Sequence, residues 1–473
     1  MKQLTTDLCV IGAGSGGLSV AAGAVQMGAR VILIEAGEMG GDCLNAGCVP
    51  SKSLIAAAHH AHAMTTGAAF GIRPAQPDVD FAAIRDHIAQ VIAGIAPIDS
   101  QERFESLGVT VLREPARFAS PTEVECGEFR ITARRFVIAT GSRPLVPPIT
   151  GLDQVPYLTN ETIFALEARP DHLLILGGGP IGMEIAQAHR RLGTQVTVVE
   201  AQKALGREDP EIAGIAIDAL RLDGVIIREG AEVIGAAADG GTVSLTLKGG
   251  EVIHGSHLLV AVGRKVSVEN LRLDLAQIQH DKRGVIVGPN LRSVSNRRVY
   301  AVGDAAGGPQ FTHVAGAHAG IVIRQALFAL PARFATHAIP RVTYTDPELA
   351  HVGLTEAEAR AAHGAKVEVI RQEFARNDRA QTARTTTGML KLIVHRGRPV
   401  GVSIVGPHAG ELIGLWTLAI SARVRLSAIA GMIAPYPTLG EISKRAAGAY
   451  FSPRLFANPW VGRVVRAVQR LIP

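Results

Sequence analysis

Two stretches of this chain follow one plan, and that plan leaves few folds open. The stretch 6–11 reads as a short buried strand. It runs into Gly12-Ala-Gly14-Ser-Gly-Gly17 and an alanine-rich helix that reaches about Gly28. Residues 31–34 form a second apolar strand, closed by Glu35. The pattern returns as a strand at 172–176, the turn Gly177-Gly-Gly179-Pro-Ile-Gly182, a helix to Gly193, and a strand at 196–199 closed by Glu200. In both copies the acidic residue follows the first glycine by 23 positions. The first glycine permits a tight turn, the second lets backbone approach a pyrophosphate, and the last lets helix and strand pack closely. Phosphates then sit at the positive end of the helix. Two such βαβ units predict two bound nucleotides and an α/β chain with two Rossmann-like nucleotide-binding domains.

The 473 residues allow about three domains. Residues 53–115 read as largely helical. Further apolar strands run to Gly141, Gly263 and Gly303-Asp304. Beyond Pro340 the pattern changes to alternating strand-like runs at 367–374 and 389–394 followed by helices, which predicts a separate α+β domain over 337–473. A hydrophobic fraction of 47% excludes a disordered chain. The net charge of +6 is scattered rather than gathered on one face, so anionic cofactors explain it better than nucleic acid. The first residues lack a signal-peptide pattern. The longest uninterrupted apolar run, at 412–422, is too short for a membrane span. Four cysteines do not make a disulfide scaffold, and the expected address is the cytoplasm.

The segment Gly41-Asp-Cys43-Leu-Asn-Ala-Gly-Cys48-Val-Pro-Ser-Lys52 carries the chemistry. Thiols five positions apart, with glycine before the second, can close a small ring. Pro50 and Ser51 predict a helix start whose positive end would stabilise a thiolate at Cys48. An inert structural disulfide and half of a zinc site stay open at this level. His59, His60 and His62 on the following helix read as solvated, so no metal is expected.

This segment resembles the active-site signature of the class I pyridine nucleotide–disulfide oxidoreductases, a family that includes dihydrolipoamide dehydrogenase, glutathione reductase and mercuric reductase. Ala139-Thr140-Gly141, Gly263-Arg264, Ala301-Val-Gly303-Asp304 and the run from Thr345 to Glu356 resemble further family motifs in the expected order. The resemblance implies an FAD-binding domain over 1–150 and 270–336, an NAD(P)-binding domain over 151–269, and a C-terminal dimerisation domain over 337–473. It implies a homodimer in which the last domain completes the other subunit's active site. Gly12, Gly14, Gly17, Glu35, Lys52, Ala116, Thr140, Gly141, Gly263 and Asp304 would hold FAD. Gly177, Gly179, Gly182 and Glu200 would hold the nicotinamide nucleotide. A carboxylate at Glu200 favours NAD(H), while Lys203 and Arg207 nearby keep NADP(H) open. Lys52 would pair with Glu184, Cys48 would face the flavin, and Cys43 would attack the acceptor, a small-molecule disulfide or another electron acceptor.

One family residue is replaced. Disulfide-reducing members carry His-Pro-Thr and then Glu in the last domain, the His serving the interchange thiol as acid–base partner; here the run is Tyr436-Pro437-Thr438-Leu-Gly-Glu441. A phenol with a pKa near 10 is a poor base at neutral pH. Mercuric reductases resemble this chain at Tyr436 but end in a vicinal cysteine pair, whereas this chain ends Val-Gln-Arg-Leu-Ile-Pro. The expected activity is transfer of electrons from NAD(P)H through FAD to a Cys43–Cys48 disulfide and on to a dithiol/disulfide acceptor. A mercuric-ion or quinone reductase and a non-catalytic redox sensor are the alternatives. Residues 464–472 place apolar side chains on one helical face beside Arg463, Arg466 and Arg470; packing in the dimer is expected, with a membrane-surface or partner-docking helix as the alternative.

Overall fold

The computed structural model describes residues 1–472. The chain forms two compact units: Met1–Gly177 with Ala188–Val199 and Ala231–Ala335, and Gly178–Gln187 with Glu200–Gly230 and the residues from Thr336 onward.

The first unit is built on a seven-stranded sheet. Lys2–Ile11 lies at its centre, flanked in parallel by Val31–Ile34 and by Phe129–Ile138. Thr110–Leu112 extends one side, and Val299–Ala301 pairs in parallel with Phe129–Ile138. Leu8 and Val10 point into one buried cluster, Cys9 and Ile11 into another. That period of two on a strand buried on both faces explains the unbroken apolar run. The helix Ser15–Gln26 packs against the helix Thr312–Phe328, and Gly16 and Gly23 allow the approach. In the second copy of the βαβ plan, His172–Leu176 is flanked in parallel by Gln195–Glu200 and His257–Val260.

The helix predicted near Pro50 begins two residues earlier, as Cys48–Thr65, so Pro50 falls within the first turn, where its missing N–H breaks no helical bond. Charged residues punctuate Phe81–Ser106, so its apolar positions form no uninterrupted run. By length and composition this 26-residue stretch is long and apolar enough to cross a membrane; its most apolar 18-residue window has a mean hydropathy of 1.2 and is 11% buried. Its helix stops at Asp99, and the Ser100 side chain caps a further helix, Gln101–Ser106, by accepting from the Arg103 N–H.

In the second unit an antiparallel sheet runs in the order Arg341–Thr343, Glu348–Gly353, Arg398–Gly406, Met389–His395, Val367–Glu373. Helices Ala409–Ser421 and Glu441–Phe456 bury Trp416 against it, and the Trp416 indole N–H donates to Ser443 Oγ at 3.1 Å. This is the α+β domain expected after Pro340. Lys391, 3% exposed, is held by Asp209 at 2.8 Å, Glu211 at 2.9 Å and Glu356 at 2.9 Å.

Candidate active site

Gly12 adopts φ +106°, and a Cβ there would stand 2.4 Å from the Ala139 carbonyl oxygen. A Cβ on Gly17 would stand 1.8 Å from the Gly12 carbonyl oxygen, whereas one on Gly14 would meet only Gly41 Cα, at 3.9 Å. The turn therefore tolerates no side chain where strand meets helix, yet leaves room where an anionic group would approach. Glu35 accepts from the Ala13 N–H at 2.6 Å and the Gly37 N–H at 2.7 Å, which fixes its carboxylate at the end of the second strand.

Facing this turn in the same unit, Thr140 Oγ1 is buried without a partner among the described residues. Gly141 (φ +63°) and Gly263 (φ +138°) stand over open space. Ala116 starts the strand Ala116–Ser120. Asp304 accepts from Ser142 Oγ at 2.5 Å, and burial pushes its carboxyl above the ordinary range against that hydrogen bond. Arg264 donates to Ser142 Oγ at 2.7 Å and ion-pairs with Asp42 at 3.2 Å; Asn160 donates to Asp42 at 3.1 Å and to the Ala46 carbonyl at 3.0 Å. Behind the turn that presents Asp304, buried His318 accepts from the Gly303 N–H at 3.1 Å, and burial lowers its pKa to about 4. A buried hydroxyl without a partner and a glycine cradle suit the pyrophosphate of a cofactor such as FAD, and the Asp304 carboxyl suits its hydroxyl groups.

The two thiols converge in the same unit. Cys43 lies on the single-turn helix Gly41–Asn45, and Cys48 is the first residue of Cys48–Thr65. Cys48 is exposed and Cys43 half-buried. Cys48 Sγ lies 3.6 Å from Thr312 Oγ1. A hydrogen bond from Cys43 lowers the Cys48 pKa to about 6; burial opposes this, while Thr312 and the charge of Lys52 add to it. The same bond, with burial, drives Cys43 well above the ordinary thiol range. A thiolate at Cys48 beside a protonated Cys43 is thus the resting form of the reduced pair at neutral pH. Lys52 itself reaches Ser51 Oγ at 3.3 Å.

The second glycine turn repeats the first. Gly177 has φ +112°, with a would-be Cβ 2.5 Å from the Ala261 carbonyl oxygen, while Gly179 is open; Gly182 lies in the first turn of Pro180–Arg191. Glu200 accepts from the Gly178 N–H at 2.8 Å and the Gln202 N–H at 2.8 Å, the same pair of bonds that Glu35 makes. Lys203 faces Glu229 at 4.0 Å. Glu184, in the second unit, is buried and accepts from the Tyr344 N–H at 2.8 Å. In that unit too, Tyr436 is 69% exposed and its hydroxyl donates to Asp378 at 3.0 Å, which raises its pKa further above the phenol range. Glu441 accepts weakly from the Thr438 N–H at 3.5 Å and lies 3.9 Å from Arg445.

Sequence reasoning had not singled out Thr312, Ser142, Asn160, Asp42 or His318, nor assigned Arg264 a contact. Ser142 and Arg264 adjoin glycines it did single out, so adjacency was the available signal. Thr312 lies 264 positions from Cys48 and gives none.

Two nucleotide turns and a thiol pair at a helix start define a thiol-active oxidoreductase. The chain belongs to the pyridine nucleotide-disulphide oxidoreductase family: residues 6–319 match the family model, and 339–447 match its dimerisation domain. It is accordingly an FAD-dependent flavoprotein that uses NAD(P)H for disulfide oxidoreduction, and the dimerisation domain supports a homodimer. It is 34% identical to a mercuric reductase of Streptomyces lividans over 94% of this chain and 96% of that one. It is 37% identical to a dihydrolipoyl dehydrogenase of Thermus scotoductus over 94% and 97%. Among solved structures, the Cu(II) complex of the HOCl-induced flavoprotein disulfide reductase RclA from Escherichia coli superposes with a TM-score of 0.84 at 27% identity, covering 93% of this chain and 99% of that one.

Proposed function

We propose that this chain draws two electrons from NADH onto the Cys43–Cys48 pair and hands them to a soft, thiol-seeking divalent metal ion such as Hg²⁺, a substrate and not a resident cofactor. The observation that carries the choice of acceptor is Tyr436. Its hydroxyl donates to Asp378 and its pKa is raised, so it cannot take a proton from Cys43 near neutral pH. A thiolate ligand for a soft ion needs no such base once formed, and Cys48 already supplies one thiolate. In net terms, NADH and one divalent ion give NAD⁺, one proton and the zero-valent metal. FAD, when bound, supplies the hydride-to-electron-pair conversion between nicotinamide and sulfur.

The chain's own residues take the following parts. Gly12, Gly14 and Gly17 cradle the FAD pyrophosphate, Glu35 its ribose, Ala116 adjoins the adenine, and Lys52, Thr140, Gly141, Gly263 and Asp304 line the remainder. Gly177, Gly179 and Gly182 do the same for the nicotinamide nucleotide. Glu200 repeats the anchoring of Glu35, and a fixed carboxylate at that place repels a 2′-phosphate, which favours NADH. Lys52 pairs with Glu184 beside the flavin. Cys48 is the thiol next to the flavin and Cys43 the one that meets acceptor; Tyr436 and Glu441 serve the thiol pair of the other copy. We assign the protein to the cytoplasm, where reduced nicotinamide is plentiful and thiols such as those of Cys9 and Cys126 stay reduced.

Dihydrolipoamide or another dithiol/disulfide pair is the second reading. It is favoured by the Thermus scotoductus relative and by the retained Pro437, Thr438 and Glu441. Steady-state NADH oxidation with Hg²⁺, lipoamide, glutathione disulfide and a quinone separates the two. Hg²⁺ should support the fastest turnover, and lipoamide turnover equal to or above it would overturn the preference.

A further inference from the structure

The helix Pro459–Leu471 lies outside the matched dimerisation domain, which ends at residue 447. It starts on its own cap: Asn458 Oδ1 accepts from the Trp460 N–H at 3.0 Å, and Pro459 occupies the first position. None of its residues is buried; Trp460 is 69% exposed and Leu471 81%. At about 100° per residue, Trp460, Val461, Val464, Val465, Val468 and Leu471 share one side. Arg463, Arg466 and Arg470 fall opposite, within a sector of about 60°. Among the described residues, none of these three arginines pairs with a carboxylate. Leu455 and Phe456, just before the helix, are exposed as well.

Charge sharpens the picture. After Glu441 the sequence has no Asp or Glu but has Lys444, Arg445, Arg454, Arg463, Arg466 and Arg470. Of these, Arg454 pairs with Glu368 at 2.7 Å and Arg445 lies 3.8 Å from Asp378, whereas the three helix arginines have no such carboxylate among the described residues. A fully segregated helix with an aromatic near its start and an arginine row on its polar side is complementary to a surface that is apolar below and anionic above. A second copy of the helix is the poorer occupant, because it would cover the apolar side alone and leave the arginine row without an anionic partner, whereas an anionic bilayer engages both sides.

We propose that Pro459–Leu471 is a membrane-surface helix: it lies in the headgroup layer of a bilayer containing anionic phospholipid, apolar side chains down and arginines among the phosphates, and so makes the flavoprotein a peripheral membrane protein. This does not depend on the acceptor proposed above.

The test is co-sedimentation of the FAD-loaded protein with vesicles of phosphatidylglycerol and phosphatidylcholine, against phosphatidylcholine alone. Binding should require phosphatidylglycerol and weaken with salt. The chain has two tryptophans, and Trp416 is fully buried, so a blue shift of tryptophan emission on binding reports Trp460. Arg463→Glu/Arg466→Glu/Arg470→Glu should lower partitioning by about a hundredfold, at roughly one headgroup interaction lost per arginine. Val464→Asn/Val468→Asn should abolish the emission shift. Both variants should keep bound FAD and NADH oxidation, which shows that they fold. Binding that ignores lipid charge, or a triple variant that binds like the wild type, would overturn the proposal. So would a triple variant that is monomeric by light scattering where the wild type is dimeric, because the helix would then be covering a second copy.

Discussion

Replacing Thr312 by Val tests how the thiol loop makes its thiolate. Thr312 opens the helix Thr312–Phe328, and its Oγ1 lies 3.6 Å from Cys48 Sγ, a contact in which the hydroxyl must donate once the sulfur is ionised. Valine keeps the shape and removes the donor. A hydrogen bond to a charged group contributes about 1.5–3 kcal/mol, and sulfur at this distance in a partly wet site belongs at the low end. One pKa unit corresponds to about 1.36 kcal/mol, so Thr312→Val should raise the Cys48 pKa from about 6 to roughly 7. The residual depression would come from Cys43, the largest contributor, and from Lys52. The assay is the alkylation rate of Cys48 in the reduced protein, followed by peptide mapping across about pH 5 to 9. Thr312→Ser should stay within a few tenths of a unit of the wild type. An unshifted profile in the valine variant would refute the reasoning and leave Cys43 and Lys52 to account for the thiolate.

Gly17→Ala should purify with little or no FAD, read as the ratio of flavin to protein absorbance, because the new Cβ would meet backbone at 1.8 Å. Normal flavin content would show that the turn can open. Lys391→Met should cost about 3–5 kcal/mol in denaturant unfolding at neutral pH, since it leaves Asp209, Glu211 and Glu356 facing one another without their buried cation. Arg371 first, and Lys391 after it, hold Glu211 at about 2, below its unfolded value, so this stabilisation is present above about pH 4.3 and is lost as pH falls toward 2. The deficit of the variant should therefore shrink on acidification, and a deficit constant with pH would contradict the charge argument. Tyr436→His restores a base near neutrality and should raise lipoamide turnover by at least about a hundredfold, with no comparable gain for Hg²⁺. Equal gains with both acceptors would mean that Tyr436 does not discriminate between them. Glu200→Ser should improve kcat/KM for NADPH relative to NADH, and an unchanged ratio would remove Glu200 from cofactor selection.

What the sequence could disclose about this site divides along the range of the forces involved. The glycine turns and their acids were legible because strand, turn, helix and strand are contiguous, and Glu35 and Glu200 bond to amides of their own turns. The Cys43–Cys48 loop was legible for the same reason. Its helix start was misplaced by two residues, because proline prefers the first helical position but is accommodated anywhere in the first turn. Thr312, which helps set the Cys48 charge, was hidden, since a hydroxyl 264 residues away leaves no local trace. The Asp42–Arg264–Asn160 network, in which two distant segments brace the loop through Asp42, was hidden likewise. Tyr436 is the instructive case. Its identity was visible as a departure from the family, but whether a phenol acts as a base depends on what it faces. Asp378, 58 positions away, answers that by accepting its proton in a hydrogen bond and raising its pKa. The half of the mechanism made by local backbone was therefore readable from residues alone. The pair that we propose to select the acceptor, Tyr436 with Asp378, is a long-range one, and residues alone do not show it.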